Sequence, residues 1–152
     1  MTRCVEISLI IPDNEAATAA ETLRRLGFPG ATLTRADLYR LEVDAQGEGP
    51  GLLEAIRRIE ELFNPNKHAL RERGTAPEPG EVWIHEIAHG ETEPREGPVR
   101  IAGRTLPGVN GIERFTVWRL ADADGAPATD ETVTRAAETL LCNPAFQVAS
   151  IR

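Results

Sequence analysis

Cysteine, serine, histidine and aromatic residues are all scarce in this chain, and each shortage removes a class of chemistry. The two cysteines, Cys4 and Cys142, stand far apart, so they offer no CxxC redox pair, metal knuckle or disulfide framework. They read as two cytosolic thiols. The only serines are Ser8, inside an alternating apolar segment, and Ser150, two residues before the last. Neither occupies a Gly-x-Ser-x-Gly elbow, which argues against a serine hydrolase of that design. No apolar run approaches the roughly 18 residues that a membrane span needs. The opening MTRCVEISLII lacks the unbroken apolar stretch of a signal peptide, and a cytoplasmic location is expected. Basic residues are outnumbered, 17 to 24, for a net charge of −7, which argues against binding a nucleic-acid backbone. Gly103 and Gly108 are spaced as in a nucleotide-binding loop, but Val109 stands where the phosphate-gripping lysine belongs.

What remains is enough for a core: 41% of 152 residues are hydrophobic, which suits one compact domain or two very small ones. Residues 5–11 alternate, with Val5, Ile7, Leu9 and Ile11 on one face, and predict a strand. Asp13 is a plausible N-cap for a helix striped by Ala16, Ala19, Ala20, Leu23 and Leu26 and stopped by Gly27. Residues 32–43 read as extended, with Tyr39, Leu41 and Val43 on one face and a turn near Ala36-Asp37 that could split them into a hairpin. Leu52, Leu53, Ile56, Ile59 and Phe63 stripe a second helix that Asn64-Pro65 ends. Residues 66–80 are polar and rich in turn-formers, and read as the linker. An apolar segment (82–89), a Pro- and Gly-broken stretch (90–111), an alternating strand (112–120), a loop and a third helix follow. That helix buries Val133, Ala136, Ala137, Leu140 and Leu141, with Thr129 or Asp130 as its cap. Asn143-Pro144 stops it, and a short strand, FQVASI, closes the chain.

The order repeats. Tyr39-Arg40-Leu41 precedes Asn64-Pro65, and Trp118-Arg119-Leu120 precedes Asn143-Pro144, with the same spacing (64 − 39 = 143 − 118 = 25) and an offset of 79 between copies (118 − 39). At that offset Arg35 matches Arg114 and Leu62 matches Leu141. Residues 1–76 form one copy and 77–152 the other. Opposite the first helix, residues 92–106 carry Pro94, Gly97, Pro98 and Gly103. An interior proline costs a helix about 3 kcal/mol and each glycine about 1, so a loop is expected there.

The opening VEISLIIPD with AATAAETLRRLGF, the extended TLTRADLYRLEV, the helix-ending IEELFNPN and the later AAETLLCNPAFQVASI together resemble the PurS family. That family is the small subunit of phosphoribosylformylglycinamidine synthase in purine biosynthesis. The likeness covers residues 4–65 and part of 112–151. It implies an α+β fold: two ferredoxin-like (β-α-β-β-α-β) units in tandem, antiparallel sheets with helices on one face, paired as a pseudo-dimer within one chain. It implies no catalytic residue, no cofactor and no metal. The partners it implies are a synthetase large subunit and a glutaminase subunit, with further homo-oligomerisation open and neither nucleic acid nor membrane involved. The chain departs from the family pattern in being about two units long, in carrying Ala36-Asp37 where the family hairpin usually has Gly-Lys, and in the broken helix of its second copy.

One motif competes. Residues 85–89 read His-Glu-Ile-Ala-His, the HExxH of zinc peptidases, in which two histidines one helical turn apart hold the metal and the glutamate is the general base. Gly90 and Pro94 would stop such a helix almost at once, Thr92 and Arg95 occupy the places of the metzincin glycine and third histidine, and a downstream carboxylate such as Glu113 lies in an expected strand. In the repeat register 84–88 falls on the strand at 5–9, which favours a strand with surface histidines over a small zinc hydrolase. A third reading is a ferredoxin-like regulatory module that binds a small ligand between its repeats. His68, Arg40, Arg119 and the Arg57-Arg58/Glu60-Glu61 set read as solvated, and Trp83 and Trp118 as core anchors.

Overall fold

A computed structural model describes residues 1–87 and 97–152. The fold is α+β, with a six-stranded antiparallel sheet and, among the described residues, three α-helices. In chain order the elements are β1 (Thr2–Leu9), α1 (Asn14–Arg25), β2 (Thr32–Val43), α2 (Gly51–Arg57), β3 (His68–Arg73), β4 (Glu81–Glu86), β5 (Arg100–Ile101), β6 (Arg104–Thr105), β7 (Val109–Ala121), α3 (Asp130–Ala136) and β8 (Gln147–Ile151). Hydrogen-bonded neighbours in the large sheet run β3-β1-β2-β7-β4-β8, and β5-β6 is a separate ribbon.

The local rules hold at most boundaries. The Asp13 carboxylate accepts from the N–H groups of Glu15 and Ala16, and Gly27, at φ +104°, follows the last turn of α1. Thr129, not Asp130, caps α3, through the N–H of Thr132. The end of α3 widens at Ala137–Leu141, where Cys142 N–H donates five residues back to Ala137.

Three expectations are corrected. No hairpin forms at Ala36-Asp37: β2 is one twelve-residue strand. The apolar alternation does change parity there, because Leu33, Leu41 and Val43 are buried at odd positions while Ala36 and Leu38 are buried at even ones. The shift marks a strand buried on both faces rather than a turn. The supposed linker 66–80 contains β3, whose polar side chains are matched by ion pairs to β1. α2 stops at Arg57, and Ile59 and Phe63 reach the core from the turns beyond it.

The chain divides into two compact units, neither contiguous in sequence. Unit 1 is Met1–Ile11, Asp37–Thr75 and Gly90–Arg114. Its core joins Val5 and Ile7 of β1, Leu41 and Val43 of β2, Leu52 and Ile56 of α2, and Leu106 and Val109. Unit 2 is Pro12–Ala36, Ala76–His89 and Phe115–Arg152. Here α1 contributes Ala16, Ala20 and Leu23, which pack with Val82 and Ile84 of β4, Trp118 and Leu120 of β7, and Val133 and Ala136 of α3. Thus α1 and the first five residues of β2 pack with elements of the second sequence copy. Where the second copy would place its own first helix, the described residues 97–106 carry the β5-β6 ribbon instead; residues 92–96 of the expected loop lie outside the described residues.

The 79-residue offset runs through the elements. α2 and α3 correspond at both ends (130 − 51 and 136 − 57), and β3 and β8 at their first residues (147 − 68).

Candidate functional site

The HExxH motif falls on β4 and the residues after it. His85 and Glu86 are consecutive strand residues and therefore point to opposite faces. The His85 ring packs on Phe115, centroids 4.9 Å apart, beside Trp83 and away from the helices; Glu86 lies on the helix-bearing face. The helical geometry that lets two histidines share an ion is not formed at the first two motif residues; His89 lies outside the described residues. Glu113, the carboxylate that could have completed the set, pairs with Arg40 at 2.9 Å. Among the described residues no cluster of three or more His, Cys, Asp or Glu side chains is placed to hold a metal.

Both Asn-Pro turns have the same internal design. Asn64 N–H donates to His68 Nδ1 at 2.9 Å, and Asn143 N–H donates to Gln147 Oε1 at 2.9 Å. Each asparagine side-chain oxygen accepts from the N–H two residues on, at Asn66 and Ala145. His68, expected to be solvated, is therefore a turn-closing acceptor that also packs on Phe63. His68→Gln should leave the melting temperature nearly unchanged, since the second copy closes its turn with glutamine. His68→Ala should cost about 1 kcal/mol by denaturant titration. Equal losses in both variants would show that the acceptor does not matter.

Buried charges are structural. Arg3 donates to both Glu72 oxygens at 2.6 and 2.7 Å and to the carbonyls of Gly47 and Gly49, pinning the loop before α2. Hydrogen bonding to Arg3 holds the Glu72 carboxyl below its ordinary range. Glu6 accepts from Arg71 and Arg73. Arg119, expected in solvent, donates through Nε at 2.7 Å to Glu81, a carboxylate 1% exposed that also accepts from Glu78 N–H. Burial raises the Cys4 and Cys142 thiols, so neither is an activated nucleophile.

A cleft of ≈ 480 Å³ lies wholly within unit 2, on the helix-bearing face. Thr18, Ala19 and Thr22 of α1 form one wall and Leu140 and Leu141 the other; Ile84, Thr116 and Trp118 line its sheet side. Arg35 of β2 and Glu86 of β4 add charge, and Gln147 of β8 closes one end. The Arg35 guanidinium lies 5.7 Å from the centre of the Trp118 ring and binds Asp13 through Nε and Nη2 and Glu15 through Nη1. Residues 12–36 and the second sequence copy both line the cleft. Of its lining residues the sequence had singled out Trp118 as a core anchor, Glu86 as the glutamate of the HExxH motif, and Ala19, Leu140 and Leu141 as helix-stripe positions. Arg35 was visible only as a repeat match, because its partners Asp13 and Glu15 are distant in sequence. The cleft presents carboxylates, threonine hydroxyls and the paired Arg35 guanidinium beside apolar side chains.

Comparison with family models, with curated proteins and with solved structures gives no match for this chain.

Proposed function

We propose that the chain is a non-catalytic, PurS-like assembly protein: two ferredoxin-like units fused in one polypeptide that bridge a synthetase and a glutaminase subunit of phosphoribosylformylglycinamidine synthase. The observation that carries this reading is the make-up of unit 2. Its elements β4, α1, the 32–36 stretch of β2, the 115–121 stretch of β7, α3 and β8 follow the pattern β-α-β-β-α-β. Two of them, α1 and the β2 stretch, come from the first sequence copy, where an unfused dimer would draw them from a second chain. The repeated Asn-Pro turns support the same duplication. An exposed apolar strip of Ile87, Phe146 and Val148 beside the uncharged β8 edge supplies a surface of the kind that subunits cover.

Affinity purification of the tagged full-length chain from its source cells, after mild crosslinking, tests the proposal. Co-purification of a synthetase-type and a glutaminase-type subunit is expected. Recovery of neither, with the bait folded and abundant, removes the purine-synthesis role.

A further inference from the structure

We propose that the unit 2 cleft binds a small primary amine with an apolar body. The inference rests on the cleft alone and does not depend on the assembly role. The volume of ≈ 480 Å³ lies within the range of small-molecule sites, about 300–1,000 Å³.

The charge balance selects the sign of the ligand. Among the described residues Arg35 is the only cation on the wall, and three of its nitrogens are committed to Asp13 and Glu15. With Glu86 added, three carboxylates stand against one guanidinium. Among the described residues the Glu86 carboxylate has no hydrogen-bonding or ionic partner, so it is the open charge of the cleft.

The hydroxyls select the donor. Thr18 Oγ1 donates to Asn14 C=O at 2.8 Å and Thr22 Oγ1 to Thr18 C=O at 3.0 Å. With their protons so used, both threonines turn lone pairs to a ligand. An ammonium has three N–H donors and no acceptor, the complement of one carboxylate and two such hydroxyls. A carboxylate or phosphate would meet acceptors with like polarity. The apolar part of the ligand is matched by Ile84, Leu140 and Trp118, which already carries a cation over its ring.

Calorimetric titration of the full-length chain with 2-phenylethylamine, and with 3-phenylpropionate as its anionic counterpart, tests this. Saturable one-to-one binding of the amine is expected, together with a change in tryptophan fluorescence and no binding of the acid. Glu86→Gln, at an exposed position, should weaken the amine about tenfold, the value of one charge-assisted hydrogen bond. Thr18→Val, which keeps the shape, should weaken it less. The proposal is overturned if the amine does not saturate, if the acid binds as tightly, or if Glu86→Gln, with an unchanged melting temperature, binds the amine as the parent does.

Discussion

Replacing Gly108 with alanine should destabilise the protein by about 3–5 kcal/mol, a large fraction of the roughly 5–15 kcal/mol that holds a typical domain folded. Gly108 sits just before β7 at φ +77°, a left-handed conformation that costs a residue with a Cβ about 1–2 kcal/mol. The larger cost is contact. A Cβ there would lie 2.1 Å from the backbone nitrogen of Gly47 and 2.6 Å from its Cα, and backbone cannot swing aside as a side chain can. The Gly108 carbonyl also accepts from Asp44 N–H at 2.9 Å, while Arg3 holds the Gly47 carbonyl at 2.7 Å, so both sides of the approach are fixed. Gly103 provides the control. It turns the β5-β6 ribbon at φ +80° with nothing within 4 Å of a built Cβ. Gly103→Ala should therefore show the conformational cost alone, about 1–2 kcal/mol. Equal midpoint shifts for the two variants in urea would show that the close approach to Gly47 contributes nothing.

That pair of glycines illustrates which parts of the fold the sequence discloses. Gly103 and Gly108 were noticeable, but only for a phosphate-loop spacing that Val109 defeats. The work of Gly108 depends on Gly47, 61 positions away (108 − 47), and no local pattern encodes such a contact. Local signals fared better where the physics is local. Asp13 caps α1 and Gly27 follows it because both act within a few residues of their own backbone. The Asn-Pro offset was legible because a turn closed by its own side chains repeats its sequence when it repeats its shape.

Strands were harder. β3, with the sequence HALRER, reads as linker because its stabilising partners are charges on β1, and an ion-paired edge strand has no apolar stripe to display. Ala36-Asp37 reads as a turn because the alternation slips, yet β2 passes through it unbroken from one compact unit to the other. The cleft stayed hidden for a similar reason: Thr18, Arg35, Glu86 and Trp118 lie on four elements, and only tertiary packing makes them neighbours.

The second large effect concerns the exchanged elements. Residues 1–76 expressed alone should be dimeric or aggregated rather than a folded monomer. In the whole chain, Leu23, Phe28 and Leu33 of this segment are buried against Val82, Trp118, Leu120 and α3, none of which the fragment contains. Leaving three such side chains in water forfeits about 1.5–3 kcal/mol each, as much as a small domain has to lose. The fragment does hold the counterparts of those partners at the 79-residue offset: β1 for β4, the second half of β2 for that of β7, α2 for α3, and β3 for β8. A second fragment can therefore receive the α1 and β2 stretch of the first, and return its own, restoring by association what the fusion supplies within one chain. Sedimentation should give the mass of two fragments, and the melting temperature should rise with concentration. The full chain should melt in one transition independent of concentration, because β2 and β7 each belong to both compact units without a break. A fragment that stays monomeric at high concentration, with a cooperative melt of its own, would mean that α1 finds its core within the first copy and that the exchange of elements between copies is not what holds unit 2 together.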